Sequence, residues 1–210
     1  GEQAAVIDPC YHMDYYLGLA HNQQTDIRCV IDTQVHTDHV SGGPRLAAKT
    51  NSPYYLPSHE GLKSDSLPLE KESILEVNKA KLQVFPLSPS TQNGQGVFFL
   101  LNDQYLFVGD APIEKVKASL SGQAWSKDLD QNVLILPAHL KTWGRINAHG
   151  IVASTLEQLD NMKTETAREG TVVLTQPPAK EEEILKINLA QQKINLDQAN
   201  QLDLGLERTP

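Results

Sequence analysis

Only two cysteines, Cys10 and Cys29, occur in the 210 residues, and they do not form a Cys-x-x-Cys pair. That excludes a disulfide framework and a thiolate zinc knuckle, and makes a reducing cytosol the expected compartment. Basic residues are in the minority: 18 Lys and Arg stand against 26 Asp and Glu, a formal net charge of −8. Nucleic acid and anionic membrane surfaces both select basic patches, so neither is an expected partner. No apolar run approaches the roughly 18 residues of a membrane span, and the opening residues carry no signal-peptide pattern. Histidine is absent over one long stretch, with none between His59 and His139. That gap limits which imidazoles the middle of the chain can bring to a site.

What is present suits one globular domain over residues 1–210. Hydrophobic residues make up 40% and charged residues 21%, an ordinary balance. Gly1-Glu2-Gln3 leads almost at once into a strand, Ala4 to Pro9, which leaves room for a first strand before residue 1. A helix over 12–22 and a non-alternating strand from Ile27 to Ile31 follow. Next come a helix through Arg45 to Lys49, a short strand from Pro53 to Leu56, and an irregular polar stretch over 57–72. From Ile74 the pattern turns to β. Leu82–Phe85 is a strand, and Val97–Leu101 with Tyr105–Val108 form a hairpin over Asn102-Asp103-Gln104. Ser88–Gly96 is a polar loop between them. A helix over Pro112–Leu120, a buried strand over Val133–Leu136, an amphipathic helix over 151–166 and a helix over Ala179–Leu189 complete the reading. The Gln- and Asn-rich tail, 190–210, reads as extended or partly ordered. There is no internal repeat.

Residues 33–39, Thr-Gln-Val-His-Thr-Asp-His, place His36, Asp38 and His39 on a loop leaving a strand. Imidazole and carboxylate are ligands for zinc and iron. Two further strand ends carry the same chemistry: Asp110 after Phe107-Val108-Gly109, and His139 after Leu136-Pro137-Ala138. Each has a bland alternative. Asp38 is a plausible helix N-cap, Asp110 a cap for the helix after Pro112, and His139 a satisfied core histidine. Cys10 lies near the same edge, although a cysteine without an adjacent base is usually inert. Cys29 reads as core, and His12, His21, His59 and His149 as surface or packing residues.

Taken together, these strand ends resemble the metallo-β-lactamase fold, and most closely the branch of persulfide dioxygenases (ethylmalonic-encephalopathy-protein-like) and glyoxalase II. Asp32-Thr33-Gln34-Val35-His36-Thr37-Asp38-His39-Val40-Ser41-Gly42 is similar to that branch's Asp-Thr-His-x-His-x-Asp-His-x-Ser-Gly box. Leu106–Asp110 resembles its bridging-aspartate strand, and Leu136–His139 its last-histidine strand. Ser154-Thr155-Leu156-Glu157 and Ile187-Asn188-Leu189 resemble its C-terminal helices. The resemblance implies an α/β fold, an αββα sandwich of two mixed sheets flanked by helices.

Two positions depart from the pattern. Gln34 stands where the box has its first histidine. Ser88-Pro89-Ser90-Thr91-Gln92 stands where the branch has a histidine-bearing loop, so Thr91 (or Gln92, with an insertion) replaces an imidazole. The iron set of the persulfide dioxygenases would here be Gln34, Thr91 and Asp110, only one of them a good ligand, so that activity is expected to be lost or strongly reduced. The second metal position of the dizinc hydrolases would be Asp38, His39, Asp110 and His139, all present. His36 would then be a supporting or fifth ligand, and Asp38 the candidate catalytic carboxylate. Three readings follow. The first is a metallo-hydrolase-like protein with a remodelled site holding one divalent metal, zinc before iron, and a small thiol-derived substrate. The second is a silent relative with no metal, whose old cleft binds a ligand or protein partner. The third, ranked last, is an iron persulfide dioxygenase with unusual ligands. A homodimer is compatible with each.

Overall fold

The computed structural model describes residues 2–59, 61–62, 65–70, 72–87, 96–121, 123–138, 145–146, 152–161, 178–190 and 196–202. They fall into two compact units, one of Gly1–Leu69 with Val172–Pro210 and one of Glu70–Thr171.

In the first unit, β1 (Glu2–Ile7), β2 (Thr25–Ile31), β3 (Tyr54–Leu56) and β4 (Leu67–Pro68) form a wholly parallel sheet in that order. Parallel neighbours need crossover connections, here α1 (Met13–Asn22) and α2 (Gly43–Thr50). The apolar run ending β2 does not alternate because both its faces are covered: Val30 and Ile31 are fully buried. Leu46 of α2 packs with Ile27, Val30, Tyr54 and Leu56. Each such side chain stabilises the unit by about 1.5–3 kcal/mol relative to exposure. β4 lies within the stretch expected to be irregular; only two residues long, it has too little pattern to be read from sequence.

The register of this sheet sets up the site. Ile7 pairs with Ile31, and the Asp8 N–H donates to the Ile31 carbonyl at 2.8 Å. Asp8 and Asp32 therefore leave the carboxyl ends of neighbouring strands side by side, the edge at which α/β sheets collect ligands. Helix α5 (Pro178–Ala190) also belongs to this unit. So does α6 (Leu196–Leu202), an ordered part of the tail read as extended or partly ordered. Its Ala199 and Leu202 are buried with Tyr11, Val40, Ile184 and Ile187, and that burial outweighs the Gln- and Asn-rich composition.

The second unit carries a mixed sheet in the order β10-β11-β9-β8-β7-β6-β5. Its strands are β5 (Ile74–Val77), β6 (Ala80–Pro86), β7 (Val97–Leu101), β8 (Tyr105–Gly109), β9 (Leu134–Pro137), β10 (Arg145–Ile146) and β11 (Val152–Thr155). The β7–β8 hairpin turns where expected, with Asn102 and Asp103 at φ 49° and 58°, values these short polar residues tolerate. Helix α3 (Ile113–Ser121) packs Val116 against Phe98, Leu106, Ile135 and Leu159. The expected helix over 151–166 is a correction. Val152–Thr155 is a strand paired antiparallel with β9, and only then does α4 (Leu156–Asn161) begin. Thr155 and Gln158 cap that helix reciprocally. The Gln158 N–H donates to Thr155 Oγ1 at 3.1 Å, and the Thr155 N–H to Gln158 Oε1 at 3.0 Å. Residues 162–166 and the loop 88–95 lie outside the described residues. Among the described residues, no helix is long and apolar enough to cross a membrane.

Candidate metal centre

The loop between β2 and α2 is held from three directions. Its start is fixed by the Asp32 N–H donating to the Tyr55 carbonyl at 3.0 Å. Its end is fixed by Gly42, whose N–H donates to the Pro9 carbonyl at 2.8 Å. A Cβ on Gly42 would sit 2.0 Å from the Cys10 carbonyl oxygen, so only glycine admits this approach. Asn188 of α5 clamps the middle. Its Nδ2 donates to the His36 and His39 carbonyls, both at 2.9 Å, and its Oδ1 accepts the Ser41 N–H at 3.1 Å. Asp38 is not the N-cap of α2; that position is Gly42, without a side-chain cap.

Within this frame His36, Asp38 and His39 come together, with one potential ligand atom from each lying within 4.8 Å of the others. His39 Nδ1 is 3.1 Å from Asp38 Oδ1, and His36 Nδ1 is 3.8 Å from the same oxygen. The imidazoles lie against each other with centroids 4.2 Å apart. The His36 side chain is fully buried, and its Nε2 points the other way, 3.2 Å from Asp8 Oδ1 and 3.9 Å from Asp32 Oδ1. A carboxylate on one ring nitrogen fixes a histidine's orientation and tautomer and leaves the other nitrogen to a metal. Here the oriented nitrogen is Nε2, and Nδ1 faces the cluster.

Asp8 is itself tightly held. Oδ1 accepts the Thr33 N–H at 2.6 Å, and Oδ2 accepts the Thr33 hydroxyl at 2.9 Å. Its backbone sits at φ 50°, an uncommon conformation maintained by these contacts. Behind it, Asp32 Oδ2 accepts the Ser41 hydroxyl at 2.5 Å and the Tyr54 hydroxyl at 2.6 Å. Burial pushes the Asp32 carboxyl above the ordinary range, opposed by His36 and by these two hydroxyls. Burial and then the Asp32 charge push the Tyr54 phenol upward, which keeps it a donor. Three carboxylates thus surround one imidazole, with a second imidazole beside them. Such a mixed nitrogen and oxygen set suits a divalent metal.

The other expected residues are placed as follows. Gln34 is half-buried on the same loop. Asp110 follows Gly109, a glycine at φ 54°, in the second unit. The Ala138 N–H donates to the Gly109 carbonyl at 3.0 Å, so the ends of β8 and β9 are adjacent there. His139 and Thr91 lie outside the described residues, as does His149. Among the described residues His12, His21 and His59 join no metal-binding group. Cys29 is buried in β2, as expected, and burial pushes its thiol up to about 11; Cys10 is exposed. Sequence reasoning missed the roles of Asp8, Asn188 and Tyr54. In the sequence, Asp8 stands only as the end of an opening strand.

No family model and no curated protein matches the sequence. Solved structures do match. A metallo-β-lactamase from Staphylococcus aureus superimposes with a TM-score of 0.66 at 19% identity, covering 92% of this chain and 67% of its own. ETHE1 from Myxococcus xanthus gives 0.60 at 19% identity, covering 97% and 87%. A protein named TTHA1623, solved in a di-iron-bound form, gives 0.55 at 18% identity, covering 75% and 87%. The chain has the metallo-β-lactamase fold.

Proposed function

We propose that this metallo-β-lactamase-fold chain holds one divalent metal at a remodelled site and hydrolyses a small thiol-derived substrate. The observation that carries the reading is the convergence of His36, Asp38 and His39, with His36 oriented from behind by Asp8. In this reading Asp38 and His39 ligate the metal, and His36 Nδ1 supports them. A metal held there supplies a Lewis acid and lowers the pKa of a bound water toward neutrality. The chain's own groups do the rest. Asp8 and Asn188 fix the loop and its imidazole, and Asp38 accepts the proton released at the nucleophile. Zinc is proposed over iron, because Gln34 replaces an imidazole by a neutral amide, a poor ligand for ferrous iron. The same substitution is the one observation favouring the second reading, a silent relative that binds without catalysis.

The test is a zinc-reconstituted preparation assayed with glutathione thioesters, followed by thiol release. Turnover that needs zinc and disappears in His39→Ala supports the hydrolase. Full zinc occupancy without turnover on thioesters leaves binding as the function. Oxygen uptake with glutathione persulfide would replace both with the dioxygenase reading.

A further inference from the structure

A second feature of the first unit lies beside helix α2. A cavity of about 530 Å³ opens there, within the range of small-molecule sites. It is bordered by the rear of the metal loop, at Asp32 and His36, whereas Asp38 and His39 do not line it. Most of its wall is apolar, including Val35, Val40, Leu56 and Ile187. Two cations break that pattern. Arg45 and Lys49 both line the cavity from α2, four residues apart and so on one helix face.

Among the described residues, neither cation is neutralised by a carboxylate. The Arg45 guanidinium lies 4.2 Å over the Tyr11 ring, and its Nη1 donates to the Tyr11 carbonyl at 3.3 Å. Among the described residues, neither Arg45 nor Lys49 forms an ion pair with a carboxylate. In a chain of net charge −8, two adjacent unpaired cations on a cavity wall stand out. Lys49 and its neighbour Ala48 are exposed, so the cationic end is the open end. The carboxylate in the wall, Asp32, is only 1% exposed, and its Oδ1 has no hydrogen-bond partner. With Arg45 and Lys49 at the open end, a carboxylate head is matched there and an apolar body at the inner wall.

We propose that this cavity is a binding site for an organic monocarboxylate with an apolar body, its head at Arg45 and Lys49 and its body along Val35, Val40, Leu56 and Ile187. The aliphatic chain supplies burial and the paired cations supply selectivity of charge. His36 borders both this cavity and the metal loop, yet the cationic head site at Arg45 and Lys49 stands whether or not a metal is held.

Isothermal titration calorimetry on the full chain tests it with three probes: octanoate, octylamine and acetate. Saturable octanoate binding at one site is expected, with octylamine and acetate each weaker by about tenfold or more. The Arg45→Gln, Lys49→Gln double variant should weaken octanoate by about tenfold. If that variant does not fold, Lys49→Gln alone decides, because Lys49 is exposed and can be changed without disturbing the core. A loss of about threefold supports the site, and unchanged affinity overturns it. Absence of saturable octanoate binding, or equal binding of octylamine, also overturns it.

Discussion

His36 Nε2 lies 3.2 Å from Asp8 Oδ1, joining residues separated by 28 positions. The contact turns His36 so that Nδ1 faces Asp38, and it does so from the end of a neighbouring strand. Asp8→Asn keeps the shape and tolerates the positive φ, but removes the charge that polarises the ring. Metal affinity should fall by about 10- to 100-fold with the fold intact. Competition against a chromogenic chelator measures this. Affinity equal to wild type would mean Asp8 does not orient the ligand.

Gly42 is fixed by a close approach rather than by an unusual dihedral. Gly42→Ala would force apart the α2 start and the Cys10 carbonyl, now separated by far less than a methyl group needs. A loss of about 1–3 kcal/mol is expected, together with weaker metal binding, since the same shift moves the loop. Urea unfolding and metal titration read the two effects. Unchanged stability would show that the strand end gives way freely.

Tyr54→Phe removes one of two hydroxyls that satisfy a buried carboxylate oxygen of Asp32. The expected cost is about 1–3 kcal/mol, from desolvation left uncompensated. It should appear as a lower denaturation midpoint with an unchanged slope.

The double substitution Gln34→His with Thr91→His should rebuild an iron site, if Thr91 corresponds to the missing loop histidine. Iron content rising toward one per chain would support that correspondence. A folded double variant with no gain in iron affinity would refute it.

Much of this site is local in sequence. His36, Asp38 and His39 fall on one loop, and the apolar run before them announces the strand that presents them. Asp8, by contrast, is linked to His36 only through the pairing of β1 with β2, and Asn188 reaches the loop across 152 residues. No local pattern carries either contact. Residues 151–166 show the opposite case. Ile151, Leu156, Leu159 and Met162 have helical spacing, yet Val152–Thr155 completes the sheet beside β9. The Thr155…Gln158 capping pair was a local signal that marked the true helix start. The tail helix α6 escaped because its polar composition hides the two residues, Ala199 and Leu202, that anchor it.

The loop after β2 is expected to hold a metal. Elemental analysis by inductively coupled plasma mass spectrometry tests it most directly, on protein purified without a histidine tag or chelator and compared with His39→Ala. Nearly one equivalent of zinc is expected in the wild-type chain, with its loss in the variant. Wild-type protein that stays metal-free after incubation with zinc or ferrous iron would contradict it.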